Sequence, residues 1–406
     1  MSSLARLLVS SQFAFNVGFF AVLPYLADHL SGALGLGGWL VGLVLGLRTF
    51  SQQGLFVVGG ALTDRFGPRP VVLAGCALRV AGFVWLGFAT GTAAVIGAVV
   101  VVGFAAALFS PAVETEIARE AVRLEEAGGA PRTRVLAKFS AGGQAGALIG
   151  PVLGVLLLLG GFRAACLAGA GVFALVLAGH WRLMPHSPAG TADRRPVDVT
   201  APLRHRRFLA LALAYSTYLL AYNQLYLALP AELERSTGPQ ATLGWLFALS
   251  SAMVVAGQLP LERWAGRRLS WSGCLRWGLA LLAGAFAVAG AVSPLGGLWA
   301  SVAFVVLLTL GQMLVVPATR AWLPDMVEAR HLGLFTGALS SLSGVVVLAG
   351  SGPAGALLDR GGVLPWTVLA VVPLMGLALV PGGGRAAKAA GAGARSVTAP
   401  EGTPAA

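Results

Sequence analysis

Apolar residues run in long blocks broken by short polar connections. The blocks can be placed at about 6–28, 37–60, 70–90, 93–116, 136–160, 163–184, 207–231, 241–262, 271–292, 297–323, 331–357 and 363–381. Each is long enough to cross a bilayer as a helix, which takes about 20 residues. The pattern therefore predicts twelve spans. One polar stretch is longer than the rest: 185–206 holds Pro185, Pro188, Pro196 and Pro202 with Asp193, Arg194 and Arg195, too polar to span and too rich in proline for one continuous helix. It divides the chain into a first six-helix half (1–184) and a second (207–381), joined by a linker. The glycine- and alanine-rich end, 382–406, reads as a disordered tail.

Composition narrows the class. Apolar residues make up 57% and charged residues 11%, with a mean hydropathy of +0.80. Soluble domains carry about 25% charged residues. The chain reads as an all-α integral membrane protein with little left over for a soluble domain. Its net charge of +12 does not indicate nucleic acid, because the arginines are scattered between apolar blocks and cover no single face. They read as topology signals. Basic residues gather in alternate connections, at Arg65 and Arg69, Arg119 to Lys138, Arg194 to Arg207, Arg263 to Arg268, Arg330, and Arg385 with Lys388. The positive-inside rule then places both termini and the middle linker in the cytoplasm of a multi-pass cell-membrane protein. The run from Leu7 to about Ala27 is too long for a signal core and is kept as the first helix. Cys76, Cys166 and Cys274 are odd in number and lie within apolar blocks, so neither a disulfide framework nor a metal site is expected. Lysine at only two positions points weakly to a GC-rich bacterial genome.

The two halves echo each other. Gly38-Trp39-Leu40 matches Gly244-Trp245-Leu246, Pro111-Ala112 matches Pro317-Ala318, and Gly150-Pro151 matches Gly352-Pro353, all offset by 202 to 206 residues. A near-constant offset is what two parallel repeats predict.

The most informative polar break is Gly60-Ala-Leu-Thr-Asp-Arg-Phe-Gly-Pro-Arg-Pro70. Charge is excluded from lipid, so Asp64 and Arg65 mark a tight aqueous hairpin between the second and third helices. This stretch resembles the loop signature of the major facilitator superfamily, G-x-L-A-D-R-x-G-R-R/K, with Thr63 in place of alanine and Pro68 in place of an arginine. Gly60 is expected to let helix 2 approach a neighbour, Asp64 and Arg65 to form a polar latch, Gly67 to allow the turn, and Arg69 to keep one of two expected cations. In helix 5, Gly146-Ala-Leu-Ile-Gly150-Pro151-Val-Leu-Gly154 resembles the antiporter motif of the same superfamily. Its small residues make a smooth packing face and Pro151 permits a bend. The stretches VGFFAVLP and GLRTFSQQGLFVVGGALTDRFG are similar to the drug:proton antiporter branch, in particular to MdtH-type multidrug resistance proteins. The resemblance implies the major facilitator fold and proton-coupled export. Two departures stand out: helix 4 lacks the R-x-x-x-G motif of many antiporters, and helix 1 has no acidic residue in its inner half.

Within the spans, polar residues are the candidates for transport. Gln12, Asn16, Phe20, Pro24 and Asp28 follow one another at steps of four, a single stripe on helix 1 that should face protein or water. Tyr215, Tyr218, Tyr222 and Tyr226 repeat the idea on helix 7, beside Asn223 and Gln224. Such rings suit a broad, partly aromatic cavity, although Tyr215 and Tyr226, near the helix ends, equally fit an aromatic belt. Arg48, followed by Gln52 and Gln53, lies mid-helix, where a guanidinium costs about 2.5 kcal/mol or more and needs a carboxylate, a carbonyl or a substrate as partner. Gln144, Gln258, Gln312 and Arg320 complete the polar intramembrane set. Asp28, Glu114 and Glu116 are the candidate proton carriers, and Glu114 or Glu116 also fits a cluster tying helix 4 to the hairpin.

These features separate the function classes. His29, His180, His186, His205 and His331 sit far apart at loops or helix ends, and no convergent nucleophile or carboxylate cluster suggests an enzyme. No Walker-type sequence is present, so an ion gradient is the expected energy source. A receptor or scaffold has no need of Arg48. The expectation is a cofactor-free, monomeric exporter of small amphipathic molecules in exchange for protons, the runner-up being a transporter of one specific solute.

Overall fold

Backbone amides find no water inside a bilayer, so an apolar chain there folds into helices that satisfy their own hydrogen bonds. The computed structural model describes residues 2–185, 200–236, 241–328 and 331–382, and it is helical throughout. Ten helices among the described residues are long and apolar enough to cross a membrane. They are α1 (Ser3–Ala33), α2 (Gly38–Phe66), α3 (Pro68–Phe88), α4 (Thr92–Glu126), α5 (Arg132–Leu158), α6 (Phe162–Leu183), α8 (Thr242–Arg268), α9 (Trp271–Leu295), α10 (Trp299–Asp325) and α11 (Leu332–Leu358). Two further elements are less apolar or shorter: α7 is Arg206–Asn223 continued beyond a turn by Ala228–Ser236, and α12 is Leu364–Leu379.

Ten of the twelve expected spans thus meet length and apolarity among the described residues, and α7 and α12 do not. In α7, Tyr215, Ser216, Tyr218 and Asn223 lower the hydropathy, but Ser216, Tyr218 and Asn223 are buried in protein and never meet lipid. Helix 4 corrects an expected boundary. It continues past 116 to Glu126, because Glu116, Glu120 and Arg123 fall on one face and interact, so the basic stretch around Arg119 is helix and not connection. The expected linker is described only at 185 and 200–206, and the tail beyond 382, Arg194, Arg195 and Arg330 lie outside the described residues.

Two aromatic centres hold the bundle. Phe15, Phe83, Phe109 and Phe173 join α1, α3, α4 and α6, while Phe286, Phe304 and Trp366 join α9, α10 and α12. Large apolar side chains such as Leu156, Leu175, Trp277 and Met375 point outward and exposed, as lipid contact requires.

Between these groups, α2 packs on α11 and α5 packs on α8. Gly38 and Gly42 lie so close to the backbone of Gly355 and Ser351 that a Cβ at either would overlap it. The Asp359 carboxylate at the end of α11 accepts hydrogen bonds from the Gly38 N–H, at 2.9 and 3.1 Å, capping the start of α2. Crosswise, Gly244 of α8 sits against Pro151 of α5. Residues at or near the motifs that matched by offset therefore meet across the two halves, 38 with 355 and 244 with 151, and pack the Gly38 end tightly. At the opposite end, Glu114 on α4 and Arg320 on α10 are both exposed.

Candidate functional site

The hairpin between α2 and α3 is shaped largely as its residues dictate. Gly67 has φ +82°, in the region where a side chain would be strained, and Pro68 then starts α3. Arg69 donates to the Trp181 carbonyl of α6 at 2.8 Å, tying the hairpin to a third helix. Two expectations are corrected. Gly60 faces open space, and its neighbour Gly59 makes the close approach, against the Ala107 carbonyl of α4 and Pro111. Asp64 and Arg65 are both exposed and form no ion pair with each other; the Arg65 guanidinium lies 5.3 Å from the ring centroid of Phe66. Residues adjacent on a helix point about 100° apart, which separates Gly59 from Gly60 and Asp64 from Arg65.

The glycines of α5 meet α1. Gly146, Gly150 and Gly154 abut Phe13 and Asn16, then Val17 and Phe20, then Ala21 and Tyr25. Tyr25 donates to the Pro151 carbonyl, and the Ala147 carbonyl is the one that Pro151, which has no N–H, leaves without its helical donor. Ser251 of α8 donates to the Ala147 carbonyl at 3.0 Å. This run is thus the core of a three-helix seal. It also takes the helix-1 stripe with it, since Gln12, Asn16 and Phe20 pack on Gly143, Gly146 and Gly150. Asn16 donates to the Gln12 carbonyl of its own helix. Gln144 is half-buried nearby.

One cavity of about 140 Å³ lies where α1, α2 and α7 meet, lined by Phe19, Arg48, Thr49, Gln52, Gln53, Leu219, Tyr222, Asn223 and Tyr226. Arg48, Gln52, Tyr222 and Asn223, singled out in the sequence, are among its lining residues, and Phe19 lines it instead of Phe20, again by one step of helix phase. Arg48 is 7% exposed and donates through Nη2 to Gln52 Oε1 at 3.0 Å. Its guanidinium lies 4.6 Å from the Phe19 centroid and 5.6 Å from that of Tyr226. Asn223 joins three helices: it accepts from Thr49 of α2 and donates to Ser351 of α11, each at 3.2 Å. Tyr215, Tyr218 and Tyr222 follow one another along α7 with ring centroids 5.2 and 5.9 Å apart, and Tyr226 packs on Phe247. Buried in this way, Tyr226 is not a membrane-surface belt residue.

Arg79 of α3 went unnoticed in the sequence, although a lone arginine inside the apolar block 70–90 was the signal. It is 1% exposed, donates to the Val102 carbonyl at 2.5 Å, and is enclosed by the rings of Phe15, Phe19, Phe83 and Phe173.

The candidate proton carriers lie at the two ends. Asp28 lines a pocket of about 240 Å³ at the Gly38 end, with Glu234, Arg235 and Asp359. Glu114 is exposed at the opposite end, where the charge of Arg320 acts on it. Glu116 is fully buried, with Arg123 at 3.9 Å, and Glu120 accepts from Ser2. No group of three or more metal-ligating side chains occurs among the described residues.

The family model for the Major Facilitator Superfamily matches residues 8–231. A putative uncharacterized MFS-type transporter of Mycobacterium tuberculosis is 37% identical over 372 residues, covering 87% of this chain and 86% of its own. The multidrug resistance protein MdtH of Yersinia pestis is 31% identical over 372 residues, covering 89% and 90%. A crystal structure of a POT family transporter in complex with 5-aminolevulinic acid superposes with a TM-score of 0.78 at 14% identity, covering 93% of this chain and 95% of that one. The nucleoside transporter NupG does so with a TM-score of 0.74 at 13% identity, covering 93% and 98%. At these identities the two superpositions establish the fold alone.

Proposed function

This chain belongs to the major facilitator superfamily and is a multi-pass membrane transporter, not an enzyme; on that premise we propose that it exports small, amphipathic, drug-like molecules in exchange for protons by alternating access. The observation that carries the reading is the cavity around Arg48, polar and aromatic, buried between α2 and α7 beneath a closed Gly38 end. Twelve spans follow if α7 and α12 both cross, in two six-helix halves of which each supplies part of that cavity. With both termini cytoplasmic in a bacterial cell membrane, as the arginine distribution favours, the closed end faces outward and the cavity opens inward. That is a state suited to loading a substrate for export.

Similarity to a protein named for multidrug resistance supports export, and the α1–α5–α8 seal supports antiport, because an exchanger must keep the two sides sealed from each other. Asp28, facing the outer pocket, is assigned as proton acceptor from outside, with Glu114 and Glu116 as alternatives. The test is a pH-sensitive dye inside everted vesicles that hold an acid interior. Addition of a transported compound should dissipate the gradient, and Asp28→Asn should suppress that response more than Glu114→Gln or Glu116→Gln. Flux that ignores the pH gradient and follows sodium, or coupled flux unchanged in all three variants, overturns the coupling. Flux confined to one solute among many selects the runner-up, a specific transporter.

A further inference from the structure

The cavity contains a charge problem that its own residues leave unsolved. Arg48 and Arg79 are both buried at the level of the spans, and neither has a carboxylate within ion-pair distance among the described residues. Arg48 uses one nitrogen on Gln52, and its Nε has no hydrogen-bond partner. Arg79 uses one nitrogen on a carbonyl, and its Nε and Nη2 have none. Phe19 lies between the two guanidiniums, 4.6 Å from one and 5.4 Å from the other. Ring faces attract cations but do not neutralise them. Two positive charges therefore act on one cavity whose lining holds amides, hydroxyls and rings and no carboxylate.

We propose that this cavity binds the carboxylate of an aromatic or amphipathic organic acid, with Arg48 as its ion-pair partner and Arg79 as a second positive charge behind Phe19. This rests on the transport reading above and deepens it by naming a substrate class. Three observations converge on it. Arg48 presents a planar fork of donors, suited to carboxylate geometry, into the cavity. Gln53 and Thr49 supply further polar contacts, and Phe19, Leu219 and Tyr222 supply a face for a ring. The volume, about 140 Å³, is below the roughly 300–1,000 Å³ of sites that enclose a drug-sized molecule, so it suits a charged head whose body extends into the cleft. A lipophilic cation finds repulsion there and no counter-charge.

The experiment is equilibrium binding of three probes with one ring system, 2-naphthoate, its methyl ester and 2-naphthylmethylammonium, to the full-length protein in detergent. The parent should bind naphthoate at least about tenfold more tightly than either other probe. Arg48→Gln should abolish that preference by weakening naphthoate binding at least about tenfold; Arg48→Lys should retain part of it, and Arg79→Gln should reduce it. Equal affinity for the three probes, a preference for the ammonium, no binding of naphthoate at millimolar concentration, or an undiminished preference in Arg48→Gln overturns the proposal. If Arg48→Gln does not elute as a folded species, the parent's order of affinities together with Arg48→Lys decides. Because binding is read without a membrane, the two readings fail separately. Naphthoate binding without flux in proteoliposomes sinks export, whereas export of neutral or cationic compounds without a naphthoate preference sinks the anion site.

Discussion

Gly59 and Gly60 differ by one position in the sequence and by everything around them. A Cβ on Gly59 would come within 1.9 Å of the Ala107 carbonyl, whereas one on Gly60 meets nothing within 4 Å. Gly59→Ala should force α2 off α4 and destabilise the protein by about 1–3 kcal/mol, the usual penalty of overpacking. Gly60→Ala should be neutral or stabilising by up to about 1 kcal/mol, since alanine is the better helix former. Thermal unfolding of both variants in one detergent checks this, and a lower Tm for Gly60→Ala than for Gly59→Ala contradicts the α2–α4 packing. The same one-residue ambiguity exchanged Phe19 for Phe20 at the cavity. Composition and motif spacing identify a helix and its polar content; they do not fix rotation about the helix axis, which the neighbouring helices decide.

At the scale of elements, the α5 glycine run was legible as a packing face but its partners were not, because they come from α1 and α8, distant in sequence. Tyr25 in particular lies off the helix-1 stripe, yet it makes the hydrogen bond to the Pro151 carbonyl that links α1 to α5. Tyr25→Phe removes that bond and should cost about 0.5–1.5 kcal/mol without altering the fold. Gly154→Leu goes further. Tyr25 and the Ala21 backbone already stand within 2.6 Å of where its Cβ would lie, so a larger side chain must separate α1 from α5 at the closed end. The expected result is a faster substrate-independent proton leak in proteoliposomes for Gly154→Leu than for the parent, with Tyr25→Phe close to the parent. A Gly154→Leu protein as tight as the parent shows that the seal lies elsewhere.

For the whole molecule, the repeat offset makes α2 the counterpart of α8 and α5 that of α11, whereas the helices that meet across the middle are α2 with α11 and α5 with α8, a pairing the offset does not state. Nor did it anticipate which end would be closed, since one sequence serves every state of a transport cycle. The same offset of 206 that relates Pro111 to Pro317 relates Glu114 to Arg320, so equivalent places on α4 and α10 carry opposite charges. Both side chains are exposed at the open end, and no ion pair joins them here. Closing that end by the proposed alternating access brings α4 and α10 together, and a charge pair formed only in the closed state favours that state without touching the ligand. Glu114→Arg and Arg320→Glu should each place like charges at the closing face and slow transport at least about fivefold, while naphthoate or another established ligand binds within about twofold of the parent. The double variant Glu114→Arg with Arg320→Glu restores the opposite signs and should recover most of the rate. Transport assays on the four proteins at matched reconstitution, with binding measured in parallel, check the cycle. A double variant as slow as the worse single one shows that the two charges act independently, and that closure at this end is held by other contacts.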